Sequence, residues 1–396
     1  MHAAGRKGNR RNEDSERQQD MMGGRISEKE FRDSRPFMRQ AGKIRTVRGS
    51  RTAAEGENMC MKIVDMHCDT IAELLERRRG GSEEGLRQNR LHVDLEKMKK
   101  GGYLLQNFAL FVELSEKKDP LEEVLELADL YYEQMEKNAD LIRPVYRYDE
   151  IEKNARDGFM SALLTIEEGG VCKGNPAVLR ILYRLGVRMM TLTWNFPNEL
   201  GCPNLEQPPL GKEKGFVPDF RKPNKEQGLT ETGFAFIEEM ERLGMIVDVS
   251  HLSDAGFWDV AKAARKPFVA SHSNARSVCG WVRNLDDEMI RCLAQKGGVM
   301  GLNFCPAFLT DTKAGEEAYG SIAALVEHAK HIVRVGGEEC LGLGSDYDGI
   351  RIHDELPDAS YLPLLEDALK KGGFTPSQIE KIFSQNVLRL YREILK

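Results

Sequence analysis

Five segments of the chain bring a side chain that can ligate a metal ion to the end of an apolar run. The first, KIVDMHCDT (62–70), ends in His67 and Asp69 with one residue between them. Residues two apart on a strand point to the same side, so His67 and Asp69 can hold one ion together while Cys68 points away. The side chains that end the other four runs are Glu167, His251, His272 and Asp346.

These residue types are typical of a site for divalent metal ions. Neutral imidazoles and carboxylates are ligands that Zn²⁺ and similar ions prefer. Two histidines, an H-x-D pair and a glutamate are too many ligands for one catalytic zinc with an open position. They suit two ions about 3.5–4 Å apart that share a carboxylate. Glu167 is the expected shared ligand because its strand lies between the two groups of ligands.

Each of these residues also has a structural alternative. A single histidine at a strand end is more often part of the core or the surface, so the metal-site prediction depends on several strand ends each offering a ligand. Glu168 could replace Glu167, and Asp348 could replace Asp346 in GSDYDG (344–349). Asp65 and Asp248 could be buried acids that cap helices or bridge loops.

Eight apolar runs position these side chains and alternate with helical patterns. Most runs are continuous, as in parallel strands that are covered on both faces. We expect an α/β fold, one (β/α)8 TIM barrel of the metal-dependent hydrolase type, in which all carboxyl strand ends meet at one mouth. A doubly wound sheet is less favoured because no glycine-rich phosphate turn follows the first run. The runs are 62–67, 102–112, 161–167, 187–194, 244–251, 266–272, 297–304 and 340–346.

Helix signals separate these runs. The expected N-caps are Asp94, Thr230 and Thr375. After Thr375, Pro376 stands at the first helical position and Gln378 three residues after the cap, which is the typical start of a helix and begins the C-terminal helical pattern. The longest segment without a helical pattern is 195–228, which we expect to be a lid or binding loop. Further helical patterns cover residues 175–186, 286–298 and 320–337.

Charge and hydrophobicity exclude several classes of protein. The 396 residues carry a net charge of −6, which does not indicate a nucleic-acid partner. Residues 1–60 carry a net charge of +5 and lack apolar periodicity, so we expect a disordered basic and polar tail before a single domain at 61–396. An upstream start-site artefact is the favoured explanation of this tail, with the folded chain beginning near Met59 or Met61, and a nucleic-acid-binding arm is the alternative.

The location of the protein is predicted from what the chain lacks. No segment has 18 consecutive apolar residues, and the first sixty residues have no apolar core of a secretory signal, so neither a membrane span nor secretion is expected. The eight cysteines form no C-x-x-C pair. We therefore expect free thiols in a reducing compartment and a cytoplasmic protein.

The motifs resemble those of the membrane dipeptidase (renal dipeptidase) family, zinc metallopeptidases of the amidohydrolase superfamily, and in particular a bacterial-type cytosolic member. The likeness covers about residues 61–396. The most specific blocks, which occur in one order, are DVSHLS (248–253), SHSNARSV (271–278) and RNLDDE (283–288). Further matching pieces are VDMHCDT (64–70), LLTIEEGG (163–170) and GLGSDYDG (342–349).

The resemblance implies a metal-binding role for five residues. His67 and Asp69 would hold one zinc ion, and His251 and His272 a second. Glu167 would lie between the two ions, because counting back from VLRILYRLG (178–186) places it, rather than Glu168, at the bridging position of the family.

The resemblance also implies roles in substrate binding and catalysis. Arg283 would bind substrate, and a salt bridge to Asp286 or Asp287 is its structural alternative. Asp346 would lie near the bridging water as the catalytic aspartate and carry its proton to the leaving amine.

The chain departs from the family pattern at two places. Trp194 and then Asn195 follow TLT, where mammalian members carry a histidine that helps to hold the reacting oxygen. Phe308 stands where those members have a tyrosine in the substrate pocket. All three residues are therefore candidates for substrate binding, and they put the substrate preference in doubt.

The implied reaction is hydrolysis of dipeptides, including those with a C-terminal D-residue, by attack of a hydroxide that bridges two zinc ions. The alternative is an amidohydrolase of the same fold that acts on N-acyl amino acids, lactams or other cyclic amides. It is less favoured because such members commonly begin with H-x-H and carry a bridging lysine on the fourth strand. A non-catalytic scaffold would have lost ligands, and none is missing. The resemblance also suggests a homodimer.

Overall fold

The centre of the computed structural model is a closed ring of eight parallel strands. The structure describes residues 61–115, 119–205, 219–312 and 318–396. The strands are β1 (Ile63–Asp65), β2 (Tyr103–Phe111), β3 (Ile142–Pro144), β4 (Met160–Glu167), β5 (Val187–Thr191), β6 (Ile246–Asp248), β7 (Val269–Ala270), β8 (Val299–Leu302) and β9 (Leu341–Leu343). Around the ring they run β2-β1-β9-β8-β7-β6-β5-β4, and β4 pairs back with β2. The predicted (β/α)8 TIM barrel is confirmed, and all eight predicted runs contribute a strand to it.

The closure between β2 and β4 is the longest pairing in the ring. It runs from Leu105 opposite Ser161 to Phe111 opposite Glu167. All eight residues of β4 are buried, as expected for a strand that is covered on both faces. This register brings Glu167 to the carboxyl end of the barrel.

A ninth strand, β3, was missed by the sequence patterns. It pairs in parallel with the first three residues of β4, outside the closed ring. Three residues that end in a proline are too few to show a period, and proline is tolerated at such an edge.

Helices surround the ring, and their first turns follow the predicted signals. Asp94 accepts a hydrogen bond from the backbone of Lys97, Thr230 caps in the same way, and Thr375 forms a capping box with Gln378. The helices are α1 (Thr70–Arg79), α2 (Leu95–Gly101), α3 (Pro120–Lys137), α4 (Tyr148–Asp157), α5 (Pro176–Arg184), α6 (Glu231–Leu243), α7 (Asp254–Ala263), α8 (Asp287–Gln295), α9 (Pro306–Leu309), α10 (Ile322–Gly336), α11 (Leu362–Lys371), α12 (Pro376–Glu380) and α13 (Asn386–Ile394).

The C-terminal segment closes the amino end of the barrel. It is helical from 376 to 394, as its pattern predicts, and residues 381–385 form a π-helical turn between α12 and α13. The buried face of α13, with Val387, Leu390 and Ile394, packs in one cluster with residues of the strands. The Tyr391 hydroxyl donates to Asn107 Oδ1 at 3.0 Å, and Asn107 Nδ2 donates back at 2.7 Å.

Some predictions fall partly or wholly outside the described residues. The predicted tail, 1–60, lies outside them, as does the middle of the predicted lid at 206–218, so the domain boundaries and the lid stay predictions. A hydrogen bond connects the described residues on the two sides of this gap: the backbone N–H of Asn224 donates to Asn204 Oδ1 at 2.8 Å. Seven described cysteines are free thiols, as expected. Among the described helices, none is long and apolar enough to cross a bilayer.

Candidate metal centre

Six buried side chains with metal-ligating atoms meet at the carboxyl end of the barrel. They form three overlapping groups, and within each group the ligand atoms lie within 4.8 Å of one another. The residues are His67, Asp69, Glu167, His251, His272 and Asp346. All five predicted metal ligands and the predicted catalytic aspartate are therefore brought together.

The backbone places these side chains directly after their strands. Glu167 is the last residue of β4, and His67 and His272 each follow two residues after a strand. His251 and Asp346 follow three residues after β6 and β9, with φ angles of 68° and 64°. This left-handed conformation is uncommon outside glycine and persists only where the surrounding structure holds it.

Glu167 lies between two groups of side chains, and each of its carboxylate oxygens faces one of them. Its Oε2 is 3.3 Å from His67 Nε2, which is also 3.3 Å from Asp69 Oδ2. Its Oε1 is 3.0 Å from His251 Nε2 and 3.3 Å from His272 Nε2. Cys68 faces the other way, toward the backbone oxygen of Asn107.

Hydrogen bonds fix which nitrogen of His272 faces the centre. The Ser271 hydroxyl donates to Asp248 Oδ2 at 2.5 Å, so it has no proton left for the ring of His272. His272 Nδ1, 2.7 Å from that hydroxyl oxygen, must therefore carry the proton and donate it. The lone pair of His272 is left on Nε2, which faces Glu167.

His251 is oriented in the same way. Its Nδ1 lies 3.0 Å from Asn195 Oδ1, an oxygen that can only accept, so Nδ1 carries the proton and Nε2 carries the lone pair. The Nε2 atoms of His251 and His272 are 3.1 Å apart. Two lone pairs and a carboxylate oxygen at such distances repel one another unless a positive ion lies between them.

The electrostatics of the imidazoles agree with this conclusion. Burial lowers the pKa of His251 to about 4 and that of His272 well below its usual range, so both rings are neutral near pH 7 and available as ligands. Burial also acts to lower the pKa of His67, but the carboxylates of Glu167 and Asp69 raise it well above its usual value. The position at His67 Nε2 therefore attracts positive charge, and the donor set fits divalent metal ions.

Asp346 lies on the β9 side of the cluster. Its Oδ1 is 3.7 Å from His67 Nε2, and its Oδ2 accepts a hydrogen bond from Asn303 Nδ2 at 2.8 Å. Burial and the negative charge of Glu167 raise its pKa above the usual value. A Cβ on Gly349 would lie 2.0 Å from Asp69 Oδ2 and 2.8 Å from Asp346 Oδ1, so only glycine fits beside the two acids.

The two alternative acids lie outside this cluster. Glu168 turns away and accepts hydrogen bonds from the backbone of Gly170 and Trp194. Asp348 accepts from Thr70 Oγ1 at 2.6 Å and from the backbone of His92 at 2.6 Å. Both acids therefore support neighbouring loops, and Glu167 and Asp346 are the acids that face the histidines.

Comparison with known proteins agrees with this geometry. The sequence profile of the membrane dipeptidase family, peptidase family M19, matches residues 58–396. The chain belongs to the membrane dipeptidase family. The predicted resemblance is thereby confirmed, and so is the predicted enzyme class, a metal-dependent dipeptidase.

Individual proteins of known name or structure are similar to the chain. Dipeptidase tcpJ of Claviceps purpurea is 29% identical over 313 residues, which are 76% of this chain and 69% of that protein. The solved structure of dipeptidase AC, a family M19 metallopeptidase, has a TM-score of 0.75 at 26% identity. A Rhodobacter sphaeroides metallopeptidase, solved with a phosphinate mimic of the dipeptide L-Ala-D-Ala, has a TM-score of 0.74 at 26% identity. Each alignment of these structures covers 85% of this chain and 99% of the other.

Arg283, the substrate-binding candidate of this membrane dipeptidase family member, lies beside the cluster. Its guanidinium is buried and donates to the backbone oxygen of His272 at 3.2 Å. Within the part of the chain that the structure describes, no carboxylate lies within ion-pair distance of Arg283, and its Nε has no partner. Asp286 instead caps α8, and Asp287 pairs with His331, so neither forms the alternative salt bridge.

The residues at the two departures from the family pattern have different surroundings. The ring of Phe308 lies 5.4 Å from the Arg283 guanidinium, beside the expected substrate position. Trp194 is buried, and its ring centroid lies 6.1 Å from that of His251. Asn195 holds His251 Nδ1, so its side-chain oxygen supports a candidate ligand, whereas sequence reasoning placed the residue next to substrate.

Sequence reasoning also left the function of two buried acids open. Asp65 accepts hydrogen bonds from the Ser345 backbone and hydroxyl at 2.9 and 2.6 Å. Asp248 accepts from the Ser271 backbone and hydroxyl at 2.9 and 2.5 Å. The repeated triplet IVD, at 63–65 and 246–248, is the signal in the sequence that marks this pair.

Proposed function

We propose that this protein hydrolyses dipeptides at a binuclear zinc centre. The observation that carries the proposal is the position of Glu167, whose two oxygens face two separate pairs of side chains. His67 and Asp69 would hold one ion, His251 and His272 the other, and Glu167 both. When bound, two zinc ions supply a Lewis acid and lower the pKa of a shared water toward neutrality.

The surrounding residues orient the substrate and move the proton. Arg283 is a buried cation without a carboxylate partner among the described residues, and its planar guanidinium suits the terminal carboxylate of a dipeptide. Asp346 faces the cluster with Oδ1, and Asn303 holds Oδ2. This geometry supports the proposal that Oδ1 accepts the proton of the attacking water and passes it to the leaving amine. The pKa of Asp346 is raised, which brings the pH at which this carboxyl group releases a proton closer to neutrality.

Phe308, beside Arg283, and Trp194, beside His251, would form apolar walls around the substrate. The solved relative with the L-Ala-D-Ala mimic supports a small dipeptide with a C-terminal D-residue as one substrate. We also propose that the protein works as a cytoplasmic homodimer, as the resemblance suggests.

The test combines metal analysis with a dipeptide assay. Purified protein should contain two zinc ions per chain and release free amino acids from L-Ala-L-Ala and L-Ala-D-Ala, and a chelator should abolish this activity. Glu167→Ala should lose both ions together, because it removes the side chain that the two groups share. Retention of two ions and full activity by this variant would contradict the shared-ligand assignment.

A further inference from the structure

A largely buried arginine, Arg276, holds the backbone on both sides of the substrate-binding candidate Arg283. Its Nε donates to the carbonyl oxygen of Asn284 at 2.8 Å, and its Nη2 donates to the carbonyl oxygen of Val282 at 3.0 Å. These two residues are the chain neighbours of Arg283. The proposed mechanism gives Arg276 no role, although Arg276 fixes the segment from which the Arg283 side chain reaches the cluster.

The same guanidinium is also bound to Asp254. Nη1 and Nη2 of Arg276 donate to the two carboxylate oxygens, Oδ2 and Oδ1, each at 2.8 Å. Asp254 is the first residue of α7 and lies three residues after His251, a candidate metal ligand. The side chains of Arg276 and Asp254 are 14% and 3% exposed, so they form a bidentate ion pair with little access to water. Arg276 therefore connects the loop that carries His251 with the segment that carries Arg283.

Asn204 joins the same two segments a second time. Its Nδ2 donates to the carbonyl oxygen of Val282 and to Asp254 Oδ1, each at 2.7 Å. Its backbone N–H donates to the carbonyl oxygen of His251 at 2.8 Å. The carbonyl oxygen of Val282 thus accepts one hydrogen bond from Asn204 and one from Arg276, which uses both of its lone pairs.

This network fixes the position of Arg283 relative to the metal centre. In the proposed function, the metal ions polarise the carbonyl group that is cleaved, and Arg283 binds the terminal carboxylate one residue further along the dipeptide. The Arg283 guanidinium lies against the cluster, where it donates to the carbonyl oxygen of His272 at 3.2 Å. A displacement of about 1 Å in such a contact can cost about 100-fold in rate, so the segment that carries it must be held firmly.

We propose that Arg276 is a positioning residue, which holds Arg283 at the distance from His251 at which the carboxylate of a dipeptide is recognised. This inference rests on the dipeptidase function proposed above. It requires a guanidinium and not merely a positive charge, because four donor contacts to three separate residues come from one planar group. A lysine at this position could pair with Asp254, but its ammonium could not also hold the carbonyl groups on both sides of Arg283.

The test removes the planar guanidinium and keeps the positive charge. Arg276→Lys should raise KM for L-Ala-L-Ala about tenfold and change kcat less than twofold, because the carboxylate contact contributes equally to binding of the substrate and of the transition state. Loss of folded enzyme would instead lower the apparent kcat and leave KM as it is. L-Ala-L-Ala amide has no carboxylate, so its KM, or its inhibition constant where hydrolysis is too slow, should stay unchanged.

Arg188→Lys is the matched control. Arg188 is buried near the start of β5, at the amino end of the barrel. Its guanidinium also holds backbone carbonyl oxygens, those of Tyr146, Tyr183 and Val187. This variant makes the same substitution far from the metal centre, so it should leave KM for the dipeptide and for the amide unchanged.

A second variant tests the network if Arg276→Lys does not fold. Asn204→Ala removes the other donor to the carbonyl oxygen of Val282 and leaves Arg276 in place. It should raise KM for L-Ala-L-Ala about threefold and leave the value for the amide unchanged.

The outcomes separate this inference from the proposed function. The inference is wrong, while the dipeptidase function stands, if the wild type hydrolyses dipeptides and Arg276→Lys leaves KM for L-Ala-L-Ala unchanged or raises the values for dipeptide and amide alike. An equal rise of KM in Arg188→Lys, or no rise in Asn204→Ala where Arg276→Lys does not fold, would contradict it as well. If the zinc-loaded wild type hydrolyses no dipeptide, the proposed function fails and the inference fails with it.

Discussion

Replacement of Ser271 by alanine tests how the second group of ligands is held. In the wild type, the Ser271 hydroxyl donates to Asp248 and accepts the Nδ1 proton of His272. Ser271→Ala removes both interactions without touching an atom that faces the metal position. The Nδ1–H of a fully buried ring would lose its acceptor, and the ring could move its proton to Nε2, the nitrogen required for the metal.

The size of the effect follows from the cost of one unpaired buried donor. That cost is about 1–3 kcal/mol. At about 1.4 kcal/mol per factor of ten, it corresponds to roughly 5- to 150-fold in metal affinity. Removal of a partner that orients a metal-ligating histidine typically weakens binding by about 10–100-fold, which is the same range. We therefore expect the affinity for one of the two proposed ions, the one at His251 and His272, to fall by about 10–100-fold.

Ser345→Ala is the matched control. Ser345 donates to Asp65 through its backbone and its hydroxyl, as Ser271 does to Asp248, but its hydroxyl contacts no ring nitrogen of the cluster in the described structure. Competition with a chelator, followed by metal analysis, measures the affinity of each ion in both variants. Equal loss in the two variants, or no loss in Ser271→Ala, would refute the argument that Ser271 sets the proton position of His272.

Three further predictions concern single residues. Gly349→Ala should abolish metal binding at His67 and Asp69 while the far-UV circular dichroism stays unchanged, because its Cβ would lie 2.0 Å from Asp69 Oδ2; normal metal content would contradict this. The pKa of His328 is about 4 because the ring is buried, whereas the unfolded value is 6.5. Unfolding therefore takes up a proton, and stability falls by up to about 3 kcal/mol as the pH drops from 6.5 toward 4. His328→Gln should flatten this part of the curve of unfolding free energy against pH, and an unchanged slope would show that His328 is not responsible. Tyr391→Phe should lower the unfolding free energy by about 1–3 kcal/mol in denaturant titrations, because buried Asn107 loses a partner, and a change below 0.5 kcal/mol would contradict this.

The strands were predictable because each barrel strand is buried on both faces and reads as a continuous apolar run. The cluster was predictable for a related reason, since strand ends in a barrel converge whatever their separation in the chain. The short strand β3 and the π-helical turn at 381–385 were not predictable, because neither leaves a period in the sequence. The orientation of Asn195 toward His251 was also missed, because it depends on a side-chain rotation that spacing does not specify.

The two buried aspartates show how residues far apart in the chain hold one site. Asp65 and Asp248 end β1 and β6, and each accepts two hydrogen bonds from a serine that lies just after the neighbouring strand. Each serine immediately precedes a residue of the cluster, Asp346 after Ser345 and His272 after Ser271. Each aspartate precedes another cluster residue by two or three positions. One buried pair therefore fixes two adjacent strand ends at once, and the two pairs position four of the six side chains.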